Sequence, residues 1–347
     1  MKLGLNLGYW GAGNDADNLA LAIEADRLGY SVAWAAEAYG SDAATVLAWV
    51  GAQTTTIDIG AAIFQIPGRT PANCAMTAAT LDTLSGGRFR LGLGVSGPQV
   101  SEGWHGVRFD KPLARTREYS DIVKLALSRQ KVKYDGQHYV LPLPDGPGKP
   151  LQLTVHPVRE HIPMYLAAVG PKNLELSGEL FDGWLAIFYS PEYAKESLAS
   201  IETGRAKVGK TMDGFDVVPT MPLVVGDDVQ ACAAMVKWYA ALYVGGMGSR
   251  EKNFYNQLAV RMGFDEAARK IQDKYLARDY DGAAAEVPDE FVDQTALLGS
   301  KDRIAEKMQA LKASGVTTLT VSPFGATQAD KIASLRTAVE AAEKAGV

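Results

Sequence analysis

The strongest constraint on the fold is a unit that recurs along the chain: an amphipathic helix, a glycine and a short apolar strand. Ile304, Met308 and Leu311 share one face of a predicted helix. Gly315 follows that helix, and residues 317–321 form an apolar strand. A glycine directly after a helix supplies the left-handed C-cap conformation. A near-continuous apolar strand is typical of a strand buried on both faces of a parallel sheet. The unit therefore predicts an α/β protein.

Eight strands of this kind are predicted, and most of them are followed by a helix. They cover residues 2–7, 31–36, 57–64, 89–95, 163–168, 183–188, 215–225 and 316–322. Eight strands alternating with helices favour a closed (β/α)8 barrel, or TIM barrel, over an open doubly wound sheet. A length of 347 residues is sufficient for one such barrel with insertions.

Two stretches interrupt the repeating unit. Residues 130–162 contain Asp135-Gly136, which is a hairpin signal, and a proline-rich run. Residues 244–298 begin with the glycine-rich segment Gly245–Gly248 and continue as charged, helical sequence. We interpret both as insertions into a single domain that covers residues 1–347.

Composition argues against several classes of partner. The formal net charge is −5, which lacks the basic footprint of a nucleic-acid-binding protein. No apolar run reaches the roughly 18–20 residues of a membrane span, and the start of the chain lacks a signal-peptide pattern. Two cysteines, Cys74 and Cys232, fit a reducing compartment. We predict a cytoplasmic protein that binds a small molecule, and neither nucleic acid nor membrane.

In a βα barrel, catalytic groups lie at the carboxyl ends of the strands, and here these positions offer little acid–base chemistry. Glu37 is the one carboxylate among them and is the candidate catalytic residue, although a structural salt bridge explains it equally well. No strand ends in a lysine. The four histidines, at positions 105, 138, 156 and 161, lack metal-ligand spacing. We expect no metal, and a bound cofactor would supply the reactivity.

Two glycine-containing segments are candidate cofactor sites. Gly92–Gly97 matches G-x-G-x-x-G, but it follows the fourth strand and residues 98–109 are predicted to be an irregular loop, so a dinucleotide fold is disfavoured. Its small residues could instead let a flat ring approach the backbone. In Ala168-Val169-Gly170-Pro171-Lys172-Asn173, Pro171 would begin a helix whose free N–H groups could bind a phosphate beside Lys172. An ordinary strand-to-helix turn explains that segment equally well.

Aromatic residues near the strand ends are candidates for a substrate pocket. Tyr9, Trp10, Trp104 and Tyr189 could line a pocket for a planar or apolar molecule. Packing within the core or the loops is the alternative explanation for each of them.

The segment from Ala79 to Gly94, with the sequence ATLDTLSGGRFRLGLG, resembles the signature segment of the luciferase-like, coenzyme F420-dependent oxidoreductase family. Other matches follow in order along nearly the whole chain. They are the N-terminal strand Leu3–Leu5, Ala36-Glu37, residues 59–71, Tyr134–Tyr139, Ala167–Pro171 and Leu298–Ser300.

This resemblance implies a (β/α)8 barrel, usually in a homodimer, with a redox ring at the strand ends and a non-proline cis peptide at Ala62–Ile63. The implied cofactor contacts are Ala62, Ile63, Gln65, Gly94, Val95, Ser96, Gly97, Pro98, Ala168, Val169, Gly170, Pro171 and Lys172. The chain departs from the family in one place. Several deazaflavin dehydrogenases carry an Asp-His pair where this chain has Glu37-Ala38.

The function implied is hydride transfer between coenzyme F420, a deazaflavin, and a small organic substrate. The missing histidine argues against oxidation of an alcohol or sugar phosphate, and favours an activated double bond, an imine or a nitroaromatic. An FMN-dependent monooxygenase of the same fold is the alternative. A cofactor-free lyase or isomerase, or a protein that only binds the coenzyme, is the alternative from another class.

Overall fold

The computed structural model describes residues 1–10 and 15–347, and its centre is a closed barrel of eight parallel strands. The strands are β1 (Lys2–Gly8), β2 (Val32–Ala35), β3 (Asp58–Ala61), β4 (Phe89–Gly94), β5 (Met164–Ala167), β6 (Gly183–Ile187), β7 (Asp216–Val225) and β8 (Thr318–Pro323). Each strand pairs with the next along the chain. Pairing of β1 with β8, with Leu3 opposite Leu319, closes the ring. The predicted (β/α)8 barrel is confirmed.

Helices follow the strands and cover the outside of the barrel. They are α1 (Asp15–Arg27), α2 (Ala43–Gln53), α3 (Pro71–Leu84), α4 (Pro98–Gly103), α5 (Pro112–Leu127), α6 (Pro171–Leu180), α7 (Ala194–Lys207), α8 (Val229–Ala234), α9 (Lys237–Ala241), α10 (Phe254–Arg261), α11 (Asp265–Leu276), α12 (Tyr280–Ala285), α13 (Asp289–Thr295), α14 (Lys301–Ala313) and α15 (Gln328–Ala345). Many begin with a side-chain cap or a proline in the first turn, which suits the unpaired N–H groups there. Asp42 caps α2, and Thr327 forms a capping box with Asp330 on α15.

The third strand is shorter than predicted and is followed by a bulge. β3 ends at Ala61, the Ala62–Ile63 peptide bond is cis as the family resemblance predicted, and a separate short strand, Phe64–Gln65, then pairs with β4. The strand predicted over residues 57–64 is therefore interrupted at residues 62–63. The break places residues 62–65 at the carboxyl end of the barrel.

The first insertion contains the hairpin that Asp135-Gly136 indicated. Tyr134–Asp135 pairs antiparallel with Val140–Leu141. Backbone N–H groups of residues 137–139 all donate to the carboxylate of Glu118 on α5, which fastens the turn to the barrel.

The second insertion comprises α8 to α13, so it begins at Val229, before the predicted start at residue 244. Gly245 and Gly246 lie in a π-helical turn, Leu242–Gly246. There the Tyr275 ring fills the space that a Cβ would need: a Cβ on Gly246 would lie 2.3 Å from it. The insertion has its own apolar core, which reaches the barrel through Phe188.

Two contacts outside the barrel join pairs of helices. One is a close backbone contact between neighbouring helices, and the other is an ion pair between the first and the last helix. A Cβ on Gly204 of α7 would lie 1.8 Å from the Glu175 carbonyl oxygen of α6, so the two backbones touch. Glu24 of α1 pairs with Arg27 and with Arg336 of α15, each at 2.8 Å, and joins the first helix to the last. Hydrogen bonding to Arg27, followed by that to Arg336, lowers the pKa of Glu24 to about 2.

Within residues 1–10 and 15–347, no helix is both long and apolar enough to cross a membrane. Cys74 and Cys232 are buried free thiols. Burial raises the pKa of Cys74 to about 11.

Candidate active site

The floor of the barrel mouth is made of apolar residues from the bulge after β3, from β4 and from β5. A Cβ on Gly94 would lie 2.3 Å from Cδ1 of Ile63 and 3.6 Å from the Cβ of Ala167, so these three residues are in contact. Ala62 packs one layer deeper, against the interior cluster that includes Trp34. The structure thus brings the predicted residues Ala62, Ile63 and Gly94 together at the end of the barrel.

Glu37 lies beside this floor and is fully engaged by protein groups. Its carboxylate accepts hydrogen bonds from both terminal nitrogens of Arg69, at 2.5 and 2.9 Å. It also accepts from the backbone N–H of Ala43 at 3.1 Å and of Gln65 at 3.3 Å. The side chains of Glu37 and Arg69 are only 10% and 11% exposed. This geometry favours a positioning role for Glu37, because the carboxylate spans β2, α2 and the bulge after β3.

Gln65 connects the bulge to the loop after β4. It is 1% exposed, and its Nε2 donates to Ser96 Oγ at 2.8 Å. Its Oε1 lies 2.9 Å from Nε2 of His105. Sequence reasoning set His105 aside because metal-ligand spacing was the only signal considered. The structure instead makes it part of a hydrogen-bonded chain at the mouth.

The loop after β4 turns into a short helix. Val95 and Ser96 follow the strand, Ser96 has a φ of 59°, and Gly97 is the N-cap of α4. The prediction of an irregular loop over residues 98–109 was wrong for residues 98–103. Pro98 begins that helix. Proline is common at the first helical position because the N–H that it lacks has no partner there, so Pro98 was the available signal.

The predicted phosphate segment begins α6. Gly170 is the N-cap, Pro171 is in the first turn, and Ala168 and Val169 precede them at the end of β5. The Lys172 ammonium does not point at this turn; it pairs with Glu175 at 2.9 Å on the exposed side of the helix. The helix start is therefore as predicted, and its cation must come from elsewhere.

Arg261 of α10 is a cation that reaches this turn, and sequence reasoning missed it. Its Nη2 donates to the Val169 carbonyl oxygen at 3.1 Å, although the two residues are 92 positions apart. Among the described residues Arg261 has no ion-pair partner. Burial lowers the pKa of Arg261, and the only opposing charge is that of Glu196. An unpaired guanidinium beside a helix N-terminus is suited to binding an anion.

A small cleft lies next to Arg261, between the ends of β5 and β6 and the helices α7 and α10. It is lined by Ala168, Val169, Trp184, Ile187, Phe188, Tyr189, Ser190, Tyr193, Ala194, Ser197, Leu258 and Met262. Ser190 Oγ, which lines this cleft, is one of the buried polar atoms without a hydrogen-bond partner among the described residues, and Asn173 Oδ1 in the first turn of α6 is another. A ligand bound beside Ser190 would supply the missing partner of its hydroxyl.

The four aromatic residues that were predicted to line a substrate pocket lie in different parts of the structure. Tyr9 and Trp10 follow β1 at the mouth, and Trp10 Nε1 is buried without a partner in the described part of the chain. Trp104 ends α4 and is 67% exposed. Tyr189 is buried, packs against Trp184 with tilted rings and donates to the Ser314 carbonyl oxygen; it lines the cleft beside Arg261 rather than the part of the mouth that holds Tyr9.

The helical insertion supplies aromatic groups that sequence reasoning did not select. Tyr239, Tyr243 and Tyr255 surround Phe188, with ring centroids 5.8–6.5 Å from it. Burial and the neighbouring Tyr9 phenol raise the pKa of Tyr255 to about 12. These three tyrosines, which we call the tyrosine wall, therefore lie near Tyr9 at the mouth as neutral phenols.

Chemically, the site offers a floor without side-chain acids or bases, a polar loop and an anion-binding corner. No group of three or more His, Cys, Asp or Glu side chains in the residues that the structure describes is arranged to hold a metal ion.

Comparison with known families identifies the class of protein to which this barrel belongs. The chain is a member of the luciferase-like monooxygenase family, whose model matches residues 9–318. Among its relatives is a Mycobacterium tuberculosis protein provisionally named a coenzyme F420-dependent oxidoreductase. The two are 44% identical over 342 residues, which cover 96% of this chain and 99% of the relative.

Two further comparisons agree with that family. The chain is 29% identical over 308 residues to a 5,10-methylenetetrahydromethanopterin reductase of Archaeoglobus fulgidus, covering 87% of this chain and 88% of that protein. Its fold is similar to the solved structure of the coenzyme F420-dependent tetrahydromethanopterin reductase of Methanopyrus kandleri, with a TM-score of 0.82, 24% identity and 97% coverage of each chain.

Proposed function

We propose that this protein is a coenzyme F420-dependent oxidoreductase that transfers a hydride between the deazaflavin and a small organic substrate. The observation that supports this most is the pairing of an apolar floor at the barrel mouth with a helix N-terminus that has an arginine beside it. Ile63 and Gly94 form the floor, and the start of α6 with Arg261 forms the corner. The name of the relative that is 44% identical favours the deazaflavin over FMN.

The residues present fit a coenzyme with a flat ring and a phosphate. A Cβ added at Gly97 or at Gly170 would meet no atom within 4 Å, so both glycines border open space. The unpartnered Asn173 Oδ1 and Ser190 Oγ lie toward the same corner. A free helix N-terminus and an unpaired arginine together bind phosphate through N–H groups and positive charge.

When bound, the deazaflavin would supply the hydride chemistry. Residues 62–65 and 94–98 would orient its ring, and residues 168–171 with Arg261 would hold its phosphate. The tyrosine wall and Tyr9 exclude water from the mouth and offer flat apolar surface to a substrate. Glu37 keeps Gln65 and Arg69 in place.

Ala38 favours one group of substrates. A histidine that could take a proton from an alcohol is absent at this position. We therefore propose an activated double bond, an imine or a nitroaromatic as the acceptor of hydride. Reduced deazaflavin should be consumed when it is mixed with the protein and such an acceptor. Oxidised deazaflavin should not be reduced when it is mixed with the protein and an alcohol. A rate with a secondary alcohol that matches the rate with these acceptors would contradict this choice.

The test of the cofactor is calorimetric titration of the protein with the deazaflavin and, separately, with FMN. We expect tight binding of the deazaflavin. Tight binding of FMN alone would favour the monooxygenase alternative, and binding of neither would favour a cofactor-free barrel. Binding of the deazaflavin without turnover in the acceptor assays would indicate a coenzyme-binding protein.

Two matched variants test the anion-binding corner. Arg261→Met removes an unpaired guanidinium, and we expect deazaflavin binding to weaken about tenfold or more, because hydrogen bonds to charged groups contribute about 1.5–3 kcal/mol. Lys172→Met removes a cation whose ammonium is already paired with Glu175, and should change affinity less than about twofold. The reverse ranking would contradict the assignment of Arg261.

A homodimer and a cytoplasmic location stay predictions from the sequence. Sedimentation of the purified protein is the direct measurement for the first of them.

A further inference from the structure

The hydrogen-bonded chain formed by His105, Gln65 and Ser96 has a direction. Gln65 is almost completely buried, and its two ends meet two different partners. Nε2 of Gln65 donates to Ser96 Oγ at 2.8 Å, and Oε1 of Gln65 lies 2.9 Å from Nε2 of His105. Because an amide oxygen only accepts, His105 donates from Nε2.

This direction decides what Ser96 can do. Its Oγ already accepts a hydrogen bond from Gln65, and no acceptor for its own hydroxyl proton is present among the described residues. Ser96 is therefore a free donor in the loop beside the floor. If residue 105 only accepted hydrogen bonds, the Gln65 amide would flip so that its NH₂ group faced residue 105. The amide oxygen would then accept from the Ser96 hydroxyl, and Ser96 would no longer be a free donor.

The backbones of Gln65 and His105 are both held by hydrogen bonds. The backbone N–H of Gln65 donates to Glu37. The backbone N–H of His105 donates to the Val100 carbonyl oxygen at the end of α4. The imidazole lies so close to Gly68 that a Cβ there would be 3.1 Å from its Cε1. The ring is thus seated against a glycine, with its Nε2 directed at Gln65.

We propose that His105 is a positioning residue: it fixes the orientation of the Gln65 amide so that the Ser96 hydroxyl donates to a hydrogen-bond acceptor on the bound redox ring. The carbonyl oxygens of the pyrimidinedione part of a deazaflavin are acceptors of the required class. This inference rests on the proposed function, since it concerns the ligand of the same mouth.

The experiment compares two substitutions of equal shape, His105→Gln and His105→Glu. Glutamine keeps a donor for Gln65, whereas glutamate offers only acceptors. The readout is the dissociation constant of the oxidised deazaflavin by calorimetry, with thermal unfolding as the check on folding. We expect His105→Gln to bind within about threefold of the unsubstituted protein and His105→Glu to bind about tenfold more weakly, as for loss of one hydrogen bond.

The same pair in a Ser96→Ala background separates this role from simple charge repulsion. Ser96→Ala alone should weaken binding about tenfold, and in that background the two variants at position 105 should bind within about threefold of each other. A difference that persists without the serine would overturn the inference, and so would equal affinity of both variants in the presence of Ser96.

A second route uses Gln65→Glu, which covers the case in which His105→Glu does not fold. That change keeps the contact to His105 but turns the other end of the side chain into an acceptor of the Ser96 proton. It should weaken binding about tenfold with Ser96 present and have no further effect in Ser96→Ala. Unchanged binding of the single variant would overturn the inference. If the unsubstituted protein binds no deazaflavin, the proposed function fails and this inference with it; binding that ignores residue 105 refutes the inference alone.

Discussion

Replacing Glu37 by glutamine should destabilise the fold markedly, because the carboxylate accepts four hydrogen bonds in a mostly buried place. Glutamine has one acceptor oxygen, and its NH₂ group would face the donors of Arg69. Removing one member of a fully buried ion pair costs about 3–5 kcal/mol. Arg69 retains Asp42 as a partner at 2.5 Å, so we expect a smaller loss, about 2–3 kcal/mol of the free energy of unfolding.

The control is Asp42→Asn, which removes the other carboxylate from the same arginine. Asp42 is 51% exposed, and asparagine preserves the N-cap of α2, so the expected loss is about 0.5 kcal/mol or less. Urea unfolding curves with a shared m-value measure both changes. Equal stability of Glu37→Gln and the unsubstituted protein, with turnover abolished, would refute the positioning role and favour the catalytic one.

Three further predictions follow. Gly204→Ala should lose about 2–3 kcal/mol of stability, since its Cβ would overlap a backbone oxygen of α6, while Gly103→Ala, which meets nothing within 4 Å, should lose none by urea unfolding. Glu24→Gln should cost about 1 kcal/mol at pH 7. Because the folded-state pKa of Glu24 is lowered to about 2, this cost should vanish as pH falls from about 4.5 toward 2; a constant cost over that range contradicts it. Cys74 should resist alkylation at pH 8 until the protein unfolds, because burial raises its pKa to about 11.

The barrel was predictable because its signals are local. Each strand is a short apolar run after a helix and a glycine, and such units can form only a few arrangements in a parallel sheet. The start of α6 was predictable for the same reason, since Gly170 and Pro171 are adjacent to the strand that they follow. The helix at Pro98 carried an equally local signal.

The residues that complete the site were not predictable in this way. Arg261 reaches Val169 only because a helical insertion folds back over the mouth, and no pattern near either residue indicates that contact. His105 acquires its role from Gln65, which is 40 positions earlier on the short strand Phe64–Gln65. Conversely, Tyr189 looked available because it follows β6, but it donates to Ser314 of a distant helix. Contacts across the fold decide these cases.

The second insertion carries both the tyrosine wall and Arg261. If the wall discriminates between substrates and the arginine retains the coenzyme, the two properties are inherited together. Exchange of this insertion between relatives would then transfer coenzyme affinity along with substrate preference. Re-engineering of the substrate range is better confined to the rings of residues 239, 243 and 255, with the backbone of α10 left in place.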